Sequence, residues 1–130
     1  MKRLLDTDVV IDAIRGRRVE IRDRLLALSP DDLVLSAITI AELWFGAEGS
    51  AEPDRTRLLF QEFVAPFEIV PFDRLSAEHH GRLRHRLRRQ PIGERDLLIA
   101  AIAVANGLIV ATGNVREFGR VPDLAVEQWS

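Results

Sequence analysis

Arg3-Leu4-Leu5-Asp6-Thr7-Asp8-Val9-Val10-Ile11-Asp12-Ala13-Ile14-Arg15 changes its hydrophobic period at Asp6. Before the acid stands a short apolar run; after it Val9, Val10, Ala13 and Ile14 recur at helical spacing. A strand that passes at once into a helix is half of a strand-helix-strand unit. Outward from that stretch the alternation repeats. Strands are expected at Leu33-Val34-Leu35, Phe67-Glu68-Ile69-Val70, Leu108-Ile109-Val110-Ala111 and, shortest, over 125–127. Helices are expected over 19–28 with Ile21, Leu25 and Leu28 inward, over 39–46, over 54–64 behind Pro53, from an N-cap at Asp73 through Arg89, and over 94–106 closed by Gly107. Residues 112–123 read as a loop. The strand runs are apolar throughout rather than alternating, which argues for a parallel sheet covered on both faces. The expected fold is α/β: a three-layer α/β/α sandwich around a parallel sheet of four to five strands, one domain over 1–130.

With 130 residues, 47% of them apolar, the chain can bury one core of ordinary size. It has no cysteine, so disulfides, thiolate metal sites and a cysteine nucleophile are excluded. No apolar run is long enough to span a membrane, and the start lacks the apolar segment of a signal peptide, so a cytoplasmic location is expected. A net charge of -2 gives no global pull on nucleic acid, and any phosphate contact must come from local basic patches.

Asp6, Glu42 and Asp96 each stand where a strand or turn gives way to a helix, and Asn114 follows the fourth strand. Strand exits in such a sheet share one edge, so these side chains are expected to meet there. Crowded carboxylates repel unless a cation lies among them. Three carboxylates and an amide oxygen are the hard ligands that magnesium or manganese accepts, and such an ion activates water for phosphodiester hydrolysis. Each acid alone also fits helix capping: Thr39-Ile40-Ala41-Glu42 has the form of a capping box, and Asn114-Val115-Arg116-Glu117 nearly does. The apolar company of Asp6 and Glu42 favours the metal reading, because a buried ionised carboxylate needs a partner.

Asp6-Thr7-Asp8-Val9-Val10, Ile38-Thr39-Ile40-Ala41-Glu42-Leu43, Ile92-Gly93-Glu94-Arg95-Asp96-Leu97-Leu98-Ile99-Ala100-Ala101 and Thr112-Gly113-Asn114-Val115-Arg116-Glu117-Phe118 together resemble the PIN domain of VapC-family toxin ribonucleases. The segments stand in the family's order from Leu4 to about Leu124. The resemblance implies a small α/β/α sandwich, magnesium- or manganese-dependent endonucleolytic cleavage of RNA, and a cognate VapB-like antitoxin that holds the toxin inactive. Carried over by motif, Asp6, Glu42 and Asp96 become metal-binding catalytic carboxylates with Asn114 at the fourth position. The family shows both aspartate and asparagine there; the amide lowers the site's charge, and Glu117, one turn on, is a substitute. Thr7 and Thr112 match hydroxyl positions near the site, with roles in orienting Asp6 or a phosphate. Ile102 stands where many relatives have histidine, so no imidazole role carries over.

Arg82, Arg86 and Arg89 share a face of the long helix opposite Leu83 and Leu87, and are expected to track an RNA backbone; Arg15, Arg17 and Arg18 form a second basic group. A solvated, acid-balanced face is the plainer alternative. His79, His80 and His85 lack the spacing to converge and read as surface or packing residues. Trp44, Phe45, Leu59, Phe60 and Phe63 give two neighbouring helices more apolar surface than one inward stripe needs, which suits a groove for the antitoxin's amphipathic helix or a homodimer face. Trp44 and Phe60 are therefore expected to be partly exposed. The rival functions are a non-catalytic PIN-fold interaction domain and an aspartate-nucleophile phosphatase built on Asp6-Thr7-Asp8.

Overall fold

The structure, a computed structural model, describes residues 1–129. Its strands are β1 (Arg3–Leu5), β2 (Leu33–Ser36), β3 (Glu68–Val70), β4 (Ile109–Thr112) and β5 (Ala125–Gln128). All pair in parallel, in the order β3-β2-β1-β4-β5, with Leu4 opposite both Val34 and Val110. Parallel pairing requires crossovers, and these are helices: α1 (Thr7–Arg15), α2 (Val19–Ala27), α3 (Ala37–Glu48), α4 (Pro53–Val64), α5 (Arg74–Arg86), α6 (Glu94–Asn106) and the short α7 (Val115–Phe118).

Side chains alternate across a strand, and here the alternation sorts the core into two layers. Leu4, Val34 and Val110 face α5, α6 and α7, joining Leu83, Leu87, Ile99, Ile102 and Phe118. Leu5, Leu33, Leu35 and Ala111 face α1 to α4, joining Val9, Val10, Ile21, Leu43 and Trp129. Filling both faces explains the unbroken apolar strands, and each fully buried Leu or Val contributes about 1.5–3 kcal/mol. The expected three-layer sandwich is what forms.

Chain direction across the sheet reverses beside β1: the path steps through β2 to β3 on one side, then takes up β4 and β5 on the other. A crevice opens at such a switch point, at the carboxyl ends of β1 and β4. Asp6 follows β1 directly and Thr112 ends β4, so the topology sets these two at the crevice floor.

Local chemistry moved several boundaries. Helix α3 starts at Ala37 because the Ser36 hydroxyl accepts from the Thr39 amide at 3.1 Å, making Ser36 the N-cap. Thr39 lies inside the helix, and the expected Thr39/Glu42 capping box does not form. Asp73 caps α5 by accepting from the Ser76 amide, but the helix ends at Arg86, so Arg89 lies beyond it. The segment expected to be a loop over 112–123 contains α7, whose Phe118 is fully buried. Gly107 takes the left-handed conformation (φ 63°) that closes α6.

Candidate active site

Asp6 is the N-cap residue of α1, yet its side chain caps nothing. The carboxylate is 1% exposed, and its Oδ2 accepts from the Thr112 hydroxyl at 2.8 Å. The Thr112 Oγ1 in turn accepts from the Asn114 amide at 2.9 Å, so one hydroxyl locks both Asp6 and the start of α7. Asp6 Oδ1 is buried and has no hydrogen-bond partner among the described residues. Burial drives the Asp6 carboxyl above its ordinary value, against the pull of Thr112.

Asp96 lies in the first turn of α6 and is 7% exposed. Its carboxyl is pushed up to about 7, by burial first and then by the negative charge of Asp6, with Glu117 adding to the effect. Glu117 accepts from the Gly93 amide and from Asn114 Nδ2 at 2.7 Å, and these bonds hold it below the usual carboxylate range. The Gly93 bond also satisfies an otherwise unpaired amide at the α6 N-terminus. Arg95 completes the group: Nε stands 3.4 Å from Asp96 Oδ1 and Nη2 3.4 Å from Asp8 Oδ2. The crevice beside Asp6 is an open cavity of about 620 Å³ lined also by Asp8, Asp12, Arg15, Arg18, Asn114 and Trp129.

Of the residues expected to converge, Asp6 and Asp96 come together, with Glu117 and Asn114 beside them. Glu42 is half-buried and lines a neighbouring groove between α1, α3 and α4 with Ile11, Ile14, Arg15, Leu59 and Phe60. Among the described residues no three acids or imidazoles are drawn close enough to grip one ion. The Thr7 hydroxyl bonds Thr39 at 2.8 Å and ties α1 to α3; it does not orient Asp6, a task that falls to Thr112. The Asn114 side chain is turned to Glu117.

Arg82 and Arg86 are exposed but paired, with Glu78 at 3.8 Å and Asp123 at 3.6 Å, and Leu83 and Leu87 face inward. His80 packs edge-on against Phe72. Trp44 and Phe60 are half-buried, with ring centres 6.4 Å apart, and Phe63 is half-buried too; Phe45 is 79% and Leu59 49% exposed. The partial exposure expected of Trp44 and Phe60 is what is found. Sequence reasoning gave no role to Asp12 or Arg95, and to Asp8 only a helix-dipole role or that of the acid in the rival phosphatase reading. The alternation of charge in Glu94-Arg95-Asp96, next to an acid already suspected, was the available signal for Arg95.

Comparison with known proteins agrees with this architecture. The PIN domain family model matches residues 3–124. The chain is 37% identical over 132 residues to the tRNA(fMet)-specific endonuclease VapC of Shigella flexneri, covering 100% of this chain and 99% of that one. It is 38% identical over 131 residues to Ribonuclease VapC2 of Haemophilus influenzae, covering 99% and 98%. A chain in the crystal structure of DNA-bound VapBC from Salmonella typhimurium superposes with a TM-score of 0.92 at 36% identity, over 100% of this chain and 99% of that one. The protein therefore belongs to the PIN-domain family and, within it, to the VapC ribonucleases.

Proposed function

We propose that the protein is the toxin of a toxin–antitoxin pair, a single-domain endoribonuclease that hydrolyses RNA phosphodiesters with a divalent ion, magnesium or manganese, at the β1/β4 crevice. Asp6 Oδ1 carries the reading. A carboxylate oxygen buried without a partner, beside a second carboxyl that burial and the charge of Asp6 push up to about 7, is a costly arrangement that a hard cation relieves. The donor set fits such an ion: Asp6 and Asp96 would hold it, with the oxygens of Glu117 and Asn114 next in reach and Glu42 a more distant contributor. When bound, the ion supplies Lewis-acid polarisation of the phosphate and a water of lowered pKa.

The chain's own residues do the rest. Thr112 fixes the orientation of Asp6. Glu117 bonds the start of α6 and so positions Asp96. Arg15 and Arg18 at the cavity rim are placed to hold the RNA backbone, and Arg18 is shared with Asp12 at 3.6 Å. Arg82, Arg86 and Arg89 form a second, more distant track, weakened by the acids that pair with Arg82 and Arg86.

Relatives named as ribonucleases and a structural neighbour described as VapBC support both the RNA substrate and a VapB-like antitoxin. The groove between α3 and α4, with Trp44, Phe45, Leu59, Phe60 and Phe63, offers the apolar surface such a partner needs, and the assembly is then hetero-oligomeric. The non-catalytic and phosphatase readings gain nothing from the site: Asp8, the would-be acid of a phosphatase, is two-thirds exposed and paired to Arg95. The test is RNA cleavage by the isolated chain with added manganese, compared with Asp6→Asn. Cleavage that persists in the variant, or that is indifferent to a chelator, ends the metal-nuclease reading.

A further inference from the structure

One cation already occupies the carboxylate cluster. The Arg95 guanidinium reaches Asp96 through Nε and Asp8 through Nη2, each at 3.4 Å, and its charge is also felt at Asp6. Its two acid partners differ: the Asp96 side chain is 10% exposed and that of Asp8 66% exposed. The guanidinium thus bridges a nearly buried and an exposed carboxylate beside the crevice, with its own side chain one-third exposed. Unlike a lysine or histidine it cannot relieve a nearby positive charge by losing a proton. A divalent ion held by Asp6 and Asp96 and a guanidinium resting on Asp96 repel each other, and the arginine must yield by moving.

We propose that Arg95 is the resident cation of this crevice: without a metal it holds Asp96 and Asp8 together, and a divalent ion binds only by displacing it from Asp96 onto Asp8. The inference rests on the metal reading of the site. It assigns Arg95 a positioning and gating role, in which the ion-free crevice is kept ordered at the expense of ion affinity. The long side chain and the exposed position of Asp8 make the move possible without backbone change, because the outer ion pair persists while the inner one is surrendered.

The test is calorimetric titration of the chelator-treated protein with Mn2+, together with thermal melting, for the wild type, Arg95→Gln, Arg95→Lys and Asp6→Asn. Arg95→Gln is expected to bind Mn2+ about tenfold more tightly and to melt lower than wild type when ion-free, so that Mn2+ raises its melting temperature by more. Arg95→Lys, which keeps the charge but reaches Asp96 less well, is expected to bind Mn2+ more tightly than wild type and less tightly than Arg95→Gln. Wild-type or weaker affinity in Arg95→Gln, with wild type binding and Asp6→Asn not, overturns the proposal and leaves the metal site standing. Equal titrations of wild type and Asp6→Asn overturn the metal reading itself. If Arg95→Gln does not fold, Arg95→Lys decides: its shorter reach loosens the Asp96 contact, and affinity no tighter than wild type overturns the proposal.

Discussion

The two recesses that flank α1 share Ile11 and Arg15 but are left unfinished in opposite ways. The crevice at β1 and β4 has a buried oxygen without a hydrogen-bond partner and, beside it, a carboxyl pushed up to about 7. The groove at α3 and α4 leaves no buried side-chain polar atom without a partner among the described residues, Ser50 donating to the Ala47 carbonyl and bonding Thr56, and instead leaves Leu59 and the edges of Trp44 and Phe60 uncovered. Unmet charge calls for a small hard ion, whereas uncovered apolar area calls for another protein. Adjacent surfaces can therefore serve chemistry and control separately, and substitutions should separate them.

The largest separation is expected from Asp6→Asn. Removing the charge at the crevice floor should lower RNA cleavage by more than about 100-fold, the equivalent of roughly 3 kcal/mol of lost transition-state stabilisation. Capture of the antitoxin, measured by calorimetry, should be unchanged; loss of both would show that the recesses are one site. Leu59→Glu is the converse. A charge set in the groove at a half-exposed position should weaken antitoxin binding about 30-fold, the size of a modest hot spot, with cleavage by the free toxin retained.

Thr112→Val sharpens the crevice side. It removes the donor to Asp6 Oδ2 and the acceptor for the Asn114 amide together, and the unfolding free energy in urea should fall by about 1–3 kcal/mol. The smallest expected effect is the response to pH. Asp96 ordinarily titrates near 3.8 and here near 7, so between those values the folded protein binds a proton that the unfolded chain has released. Stability conferred by this group is complete below about pH 4 and lost as pH rises to about 7. The difference in urea midpoint between wild type and Asp96→Asn, measured with chelator at pH 4.5, 6 and 8, should shift against wild type as pH rises. An unchanged difference would place the proton elsewhere.

The sandwich was readable because both of its causes are local. Leu4-Leu5 and Leu33-Val34-Leu35 carry apolar groups on both strand faces, and Gly107 and Asp73 mark helix ends with their own backbone and side-chain chemistry. The approach of Asp96 to Asp6 was readable for a topological reason: parallel strands bring their exits to one edge, and a helix that leads into such a strand, as α6 leads into β4, begins at that same edge. What was not readable depends on helical phase. Glu42 lines the groove, and the period of apolar residues over 38–45 does not specify which hydroxyl, Ser36 or Thr39, takes the cap. Arg95 was missed because an arginine's reach of several bonds lets it find partners 87 residues away, and Asp8 shows no sequence relation to it.

The chain has only two tryptophans, one in each recess. Trp129 is 1% exposed, lies under Arg24 at 4.8 Å and donates its amide to the Thr112 carbonyl, directly behind the oxygen-rich crevice. Trp44 stands half-covered beside Phe60. Their emission is therefore separable without any added dye: a paramagnetic ion entering the crevice should quench the blue-shifted Trp129 band, and a docking helix should blue-shift Trp44. A single cuvette could thus follow loading and inhibition as independent signals.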